Sequence, residues 1–277
     1  MHIGVFMFAT DYSMRTDELA MALEERGFES FFTPEHTHIP ASRQSPFPGG
    51  GDLPREYRST YDPFVSLTYA AAVTKTLKIG TGICLVPQRE PLATAKAVAS
   101  LDHMSGGRFL FGIGGGWNVE EMNNHGAEYK TRFKMMEERV LAMKALWTED
   151  EAAFHGKFVD FDPCWSDPKP VQRPHPPVLL GGETDYTLDR VFRFCEGWFP
   201  RGRDFDAKAS MARFRAAAER AGKRAEDYSV SVFGAPPKAD ALAGYADAGI
   251  TRAILPLPPV SREEILPRLD RYAGLLS

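Results

Sequence analysis

The sequence predicts an α/β protein of the (β/α)8 TIM-barrel class, one domain over residues 1–277, with insertions after the second strand and after the fourth helix. Three observations carry this. Short apolar runs alternate with helical stretches eight times along 277 residues, the arithmetic of a barrel in which each strand is followed by a helix. The runs are too uniformly apolar for a sheet with one wet face, as expected of parallel strands covered on both sides. Glycines recur where several of these runs end, at Gly82, Gly114 and Gly181. A doubly wound open sheet is the rival that the same alternation allows.

HIGVFMF (2–8) reads as a buried strand. MRTDELAMALEERG (14–27) switches to helical spacing, with Leu19, Ala22 and Leu23 on one face and a glycine at the stop. FESFFT (28–33) is the second strand, and DPFVSLTYAAAVTK (62–75) opens with aspartate at the cap and proline at the first helical position. LKIGTGI (77–83) and PLATAKAVASLDHMS (91–105) form the third pair, and RFLFGIG (108–114) the fourth strand. In the fourth helix, TRFKMMEERVLAMKALW (131–147), Phe133, Met136, Val140, Met143 and Trp147 fall on one core-facing stripe, with Lys134, Glu138 and Arg139 outside it. The count continues with PVLLG (177–181), GWF (197–199), SVSVF (229–233) and RAILPL (252–257), each followed by a helical stretch. The last helix begins at SREE (261–264), where Ser261 and Glu264 have capping-box spacing.

Two segments exceed the repeat. Residues 34–61 are rich in Pro, Gly and Ser, and 149–176 contain AAFHGKFVDF, which reads as a small hairpin before a proline-rich return. The first leaves the C-terminal end of a strand, so it would lie over the mouth of a barrel as a lid or substrate loop, with Phe47, Tyr57 and Tyr61 to enclose something apolar.

A hydrophobic content of 43% with 25% charged residues is globular material, and a net charge of -4 offers no basic footprint for a nucleic acid. Cys84, Cys164 and Cys195 are far apart and never in a C-x-x-C pair, which argues against a disulfide framework or a zinc site and for a reducing compartment. The N-terminus lacks the basic lead of a signal peptide and no window reaches membrane-span length, so the expected location is cytoplasmic, with no membrane partner.

FGIGGGWN (111–118) fails both phosphate-loop fingerprints. The third glycine of G-x-G-x-x-G is Trp117, and no Lys-Ser or Lys-Thr pair follows. Its place at the end of the fourth strand puts Gly114, Gly115 and Gly116 on the face where barrel enzymes keep their chemistry. Gly82 and Gly181-Gly182 end two other strands of the same rim, which points to a flat or phosphorylated cofactor. Gly181, Gly182, Glu183 and Thr184 precede a helix whose amides and dipole could hold a phosphate, and Arg201 and Arg203 could add charge there. In TPEHTH (33–38), His36 is the leading acid-base candidate, with Glu35 as the carboxylate beside it. His38, His103 and His125 are weaker candidates. No metal-ligand spacing and no G-x-S-x-G elbow is present.

LDHMSGGRFLFGIGGGWNVEE, with TGICLVPQREP upstream and PPVLLGG and CEGWFPRG downstream, resembles the bacterial luciferase-like superfamily, and within it the deazaflavin-dependent oxidoreductases. The resemblance covers nearly the whole chain. It implies a barrel that commonly dimerises and binds coenzyme F420, or alternatively reduced FMN, at this rim. It implies that His36 faces the reactive carbon of the ring, with Glu35 as the acidic residue before it, and that Gly82-Ile83 forms a bulge behind the ring that in many relatives includes a non-proline cis peptide. Gly114 to Trp117 would line the pocket, and Gly181-Gly182 would meet the cofactor phosphate. Some deazaflavin enzymes carry a glutamate proton donor just after the glycine loop. Here that place is Trp117, and Glu120 and Glu121 follow too late to fill it. The expected activity is hydride transfer between F420 and a small organic substrate. The alternatives are a two-component monooxygenase using reduced FMN and a flavin-binding barrel without catalysis.

Overall fold

A closed ring of eight parallel strands forms the centre of the protein in a computed structural model that describes residues 1–276. In chain order the elements are β1 (His2–Phe6), α1 (Thr16–Glu25), β2 (Ser30–Thr33), α2 (Glu56–Ser59), α3 (Pro63–Ala72), β3 (Lys78–Thr81), α4 (Pro91–Met104), β4 (Phe109–Ile113), α5 (Val119–Asn124) and α6 (Arg132–Thr148). They continue with β5 (Ala152–His155), β6 (Asp160–Cys164), β7 (Val178–Gly181), α7 (Asp185–Phe194), β8 (Gly197–Phe199), α8 (Ala207–Arg220), β9 (Ser229–Phe233), α9 (Ala239–Ala248), β10 (Arg252–Pro256) and α10 (Arg262–Ala273). The ring runs β1-β2-β3-β4-β7-β8-β9-β10 and closes where His2 pairs with Arg252 and Phe6 with Pro256. This is the (β/α)8 barrel expected from the alternation, and the open-sheet rival is excluded by the closure.

The two insertions fall where the sequence places them. Strands β5 and β6 pair antiparallel as a separate hairpin, so the chain returns from 149–176 to lay β7 directly against β4. Gln172 fixes that return, donating from Nε2 to Asp102 Oδ1 and to the Phe109 carbonyl, both at 2.7 Å. Inside the barrel, Phe32, Leu110, Leu179, Phe199 and Ile254 pack together, with Phe6, Ile83 and Phe233 above them. A larger apolar layer lies between strands and helices and includes Met136, Val140, Met143 and Trp147 of α6.

Local chemistry sets the element ends. Asp62 caps α3 by accepting from the amides of Phe64 and Val65, and Pro63 occupies the first helical position. At α10 the helix starts after Ser261 as expected, but the capping box does not form, since the Ser261 side chain makes no cap hydrogen bond. Arg108, from the S-G-G-R stretch, binds the barrel floor together. Its guanidinium donates to the carbonyls of Ala71, Thr74, Leu77 and Ser105 and to Thr74 Oγ1, closing the C-terminal carbonyls of α3 and α4 onto the start of β3. Arg139 and Glu138 of α6 are not idle polar residues. Arg139 Nη1 donates to the carbonyls of Val86, Pro87 and Arg89, and Glu138 accepts from the amides of Phe158 and Val159.

Candidate active site

At the C-terminal end of β3 the chain leaves its ladder. The Gly82-Ile83 peptide is cis, and pairing resumes one residue later, with Cys84 donating to the Gly112 carbonyl at 2.8 Å and accepting from Gly114 at 3.0 Å. This is the expected bulge. The neighbouring glycines explain how it fits. A Cβ on Gly114 would stand 1.9 Å from Ile83 Cδ1, one on Gly112 would stand 2.0 Å from the Thr81 carbonyl oxygen, and one on Gly181 would touch Ile83 Cγ2 at 3.5 Å. The space left by Gly114 is therefore taken first by the side chain of Ile83, and the bulge in turn shapes the surface above it. Gly115 makes room for Phe133, whose Cε1 would lie 2.8 Å from an added Cβ. Gly116 takes a left-handed φ of +74°, which turns the chain toward Trp117.

His36, two residues beyond Pro34 at the end of β2, is buried at the rim. Its Nδ1 lies 2.8 Å from Glu121 Oε2, and the other oxygen of Glu121 accepts from the Thr37 amide at 3.2 Å. Glu121, as a carboxylate, has only lone pairs to offer and accepts at both oxygens. The hydrogen then sits on Nδ1, and Nε2 is left without a partner among the described residues. The carboxylate beside the imidazole is thus Glu121 and not the sequence neighbour Glu35. Glu35 points the other way, accepting from the Leu85 amide at 2.6 Å and from Arg89 Nε at 2.5 Å. Arg89 also bonds Asp62 at the cap of α3. Burial works against the Arg89 charge, but the Glu35 carboxylate keeps its pKa above the ordinary value. Glu35 and Arg89 together fasten the strand end that carries His36 to the segment after the bulge.

Glu121 reaches His36 because Asn118 caps α5, accepting from the Glu121 amide at 3.0 Å, so the chain turns back over the rim. Asn118 and Glu121 stand at capping-box spacing, a signal in the sequence that α5 starts here and that Glu121 sits in its first turn. Adjacent Glu120 faces the lid instead. It accepts from Ser42 Oγ, the Ser45 amide and Ser45 Oγ, and the Ser45 hydroxyl holds its pKa down at about 2.

The lid brings Phe47 and Tyr57 onto the site. Tyr57 lies 5.4 Å from the His36 ring, Phe47 packs edge-on to Tyr57 at 5.0 Å and to Trp117 at 6.2 Å, and Trp117 meets His36 edge-on at 5.7 Å. Burial raises the Tyr57 pKa. Tyr61 does not join this enclosure; its backbone is tied to Ala9 and its side chain is largely exposed. His38 and His125 gather on the outer edge, both bonded to Thr37 Oγ1, with the His125 pKa lowered by burial and by His38. His103 lies in the last turn of α4, at the opposite end of the barrel.

Around β7 and β8 the expected phosphate residues assemble only in part. Thr184 caps α7 through Thr187, Gly182 has a φ of +127° and its carbonyl accepts from Trp198 Nε1 at 2.7 Å. Glu183 holds Arg201 in a two-pronged ion pair, Nε to Oε1 at 3.0 Å and Nη2 to Oε2 at 2.9 Å. Glu183 is thus the partner of Arg201 and not a donor toward an anion, and it already occupies the charge of Arg201. Arg203 donates to the Gly49 carbonyl of the lid at 3.3 Å. Glu183, Arg201, Arg203 and Gly49 line a cavity of about 460 Å³ with Pro48, Gly50 and Asp204, and neither Gly182 nor Thr184 borders it. No cluster of His, Cys, Asp or Glu able to hold a metal occurs among the described residues, and none of their helices is long and apolar enough to cross a membrane.

Known proteins are similar to this chain in sequence and in fold. An uncharacterized protein of Mycobacterium tuberculosis is 37% identical over 281 residues, covering 100% of this chain and 99% of its own. The FMNH(2)-dependent dimethylsulfone monooxygenase of Pseudomonas putida is 32% identical over 213 residues, 75% of this chain and 53% of its own. Among solved structures, monooxygenase RslO1 from Streptomyces bottropensis superimposes with a TM-score of 0.80 at 20% identity, covering 100% and 98% of the two chains. The coenzyme F420-dependent tetrahydromethanopterin reductase from Methanopyrus kandleri gives 0.75 at 15% identity, covering 99% and 98%. A sequence profile described as luciferase-like monooxygenase matches residues 1–249, and the chain belongs to that family of oxidoreductases and monooxygenases.

Proposed function

We propose that the protein transfers a hydride between coenzyme F420 and a small organic substrate at the C-terminal rim of the barrel. The observation that carries this reading is the buried His36–Glu121 pair, which fixes one imidazole nitrogen and leaves Nε2 free to exchange a proton. When bound, the deazaflavin gives or takes the hydride at its C5 carbon. His36 Nε2 takes the proton released when a substrate is oxidised, or returns one when it is reduced. Glu121 positions the ring and favours the charge that develops on it. Phe47, Tyr57 and Trp117 exclude water from the reacting face.

The residues present fit such a group. The bulge at Gly82-Ile83, packed on Gly114 and Gly181, would form the bed for the ring together with Gly115, Gly116 and Trp117, the last edge-on to His36 at 5.7 Å. At the far edge, the amides of Asp185 and Tyr186 in the first turn of α7 have no acceptor among the described residues, so with Arg203 they are the donors for a cofactor phosphate. Arg201 joins only if Glu183 releases it.

A two-component monooxygenase using reduced FMN is the second reading, favoured by the identity to the Pseudomonas putida enzyme. Equilibrium binding of F420 and FMN, side by side, by quenching of cofactor fluorescence separates the two. Tight F420 binding with weak FMN binding is expected. The reverse moves the protein to the oxygen-using reading, and no binding of either refutes both. The homodimer implied by the resemblance belongs to the same proposal. Val65 and Tyr69 on α3 and Met104 on α4 are the exposed apolar side chains it would cover, and light scattering tests it.

A further inference from the structure

Among the described lid cations, Arg43 is the one with a guanidinium nitrogen buried and unpartnered. Arg43 stands in the lid with a left-handed φ of +52°, its amide donating to the Pro40 carbonyl at 3.2 Å. That turn lays the guanidinium over Trp117, with Cζ 6.0 Å from the indole centroid. Its Nη1 is buried without a hydrogen-bond partner, and among the described residues no carboxylate lies within ion-pair distance of it. The missing partner is not explained by a shortage of acids nearby. Glu120 meets the same segment at Ser42 and Ser45, on both sides of Arg43, yet spends its oxygens on their hydroxyls and on the Ser45 amide. A guanidinium N–H that is removed from water and given no acceptor is costly unless a ligand supplies one, and the best match for its planar fork is a carboxylate.

We propose that Arg43 is a specificity determinant that receives the carboxylate of the substrate, whose apolar body lies among Phe47, Tyr57 and Trp117. Trp117 is the shared neighbour of Arg43 and His36, so a molecule anchored at Arg43 presents its far end to the imidazole. The substrate class is then a small aromatic or aliphatic acid. This assignment rests on the reading of the rim as the reaction site, but its test does not need turnover.

The probes are benzoate and the uncharged benzyl alcohol, titrated into the full-length protein by calorimetry, with and without F420 or FMN. The variants are Arg43→Met and Arg43→Lys, with the thermal midpoint as the check on folding. Wild type should prefer benzoate by at least about tenfold at low salt, with the preference shrinking as salt rises. Arg43→Met should lose the preference while binding benzyl alcohol as before, and Arg43→Lys should keep part of it. Equal binding of the two probes by wild type, or an undiminished preference in Arg43→Met, overturns the proposal. If Arg43→Met weakens the cofactor instead and leaves benzoate alone, the anion belongs to the cofactor and the substrate assignment fails. Absence of any cofactor binding would sink the hydride-transfer reading while leaving the benzoate preference to be judged on its own.

Discussion

Replacing Gly114 by alanine tests how the rim is built. The new methyl would stand 1.9 Å from Ile83 Cδ1 and 3.2 Å from Cγ1, with no backbone atom among its close neighbours. Ordinary carbon–carbon contact is near 3.5–4 Å, so the end of the isoleucine must retreat by roughly 2 Å into a site bordered by Phe32, Leu179 and Phe199. Overpacking of this kind costs about 1–3 kcal/mol. The loss of glycine freedom in the unfolded chain works the other way by about 0.4–1 kcal/mol, because Gly114 does not need a positive φ. The clash wins, leaving a net loss of about 1–2 kcal/mol and a thermal midpoint lower by roughly 2–8 °C. Ile83→Val removes the colliding atom at a cost of about 0.5–1.5 kcal/mol by itself. The double variant should therefore fall within about 1 kcal/mol of wild type, less than the sum of the two single losses. Calorimetry and urea denaturation of the four proteins supply the cycle. A Gly114→Ala protein as stable as wild type, or a double variant whose losses simply add, refutes the packing argument.

Other expectations follow from the same contacts. His36→Ala should lower turnover by about 10²- to 10⁴-fold with little change in cofactor affinity, and equal loss of both would sink its catalytic role. In Glu121→Gln the amide oxygen should stay with the Thr37 N–H and the NH2 face Nδ1, forcing the hydrogen onto Nε2; turnover should drop by about 10- to 100-fold with cofactor binding kept, and an unchanged rate would refute the positioning role. Arg108→Met strips four carbonyls and a hydroxyl of their donor and should cost about 3 kcal/mol in urea denaturation without altering the rim; an unchanged midpoint contradicts this. Burial opposes the charge of Glu29, but Arg252 holds its pKa at about 2 against an ordinary 4.5, so its contribution is present above that ordinary value and lost as pH falls toward 2. Glu29→Gln should flatten the acid limb of the stability profile by about 2–3 kcal/mol, and an unaltered slope between pH 4.5 and 2 would count against the pair.

Periodicity was enough for the eight strands because each is a short apolar run between turn residues, and the strands 197–199 and 229–233 match the sequence reading residue for residue. The rim was legible to the same depth. His36, the bulge and the glycine loop lie where strand ends put them. What sequence could not supply is which polar group faces which. Glu35 adjoins His36 in the chain, yet successive residues in extended backbone point to opposite sides, and Glu35 turns to Arg89 while Glu121 crosses from α5. The pairing of Glu183 with Arg201, which takes up charge expected for a phosphate, is likewise a contact between two loops that no spacing rule encodes. Arg43 carries no signal in the sequence, because its position over Trp117 depends on one left-handed residue inside a lid of irregular structure.

The six residues of α5 have a consequence for how this protein can vary. Consecutive side chains on a helix diverge by about 100°, and that angle is what sends Glu120 to the lid serines and Glu121 to the imidazole. One residue added or removed between Gly116 and Glu120 would rotate both carboxylates away from their partners at once, releasing the lid and the histidine in the same step. The length of this stretch is therefore as constrained as the two carboxylates it aims.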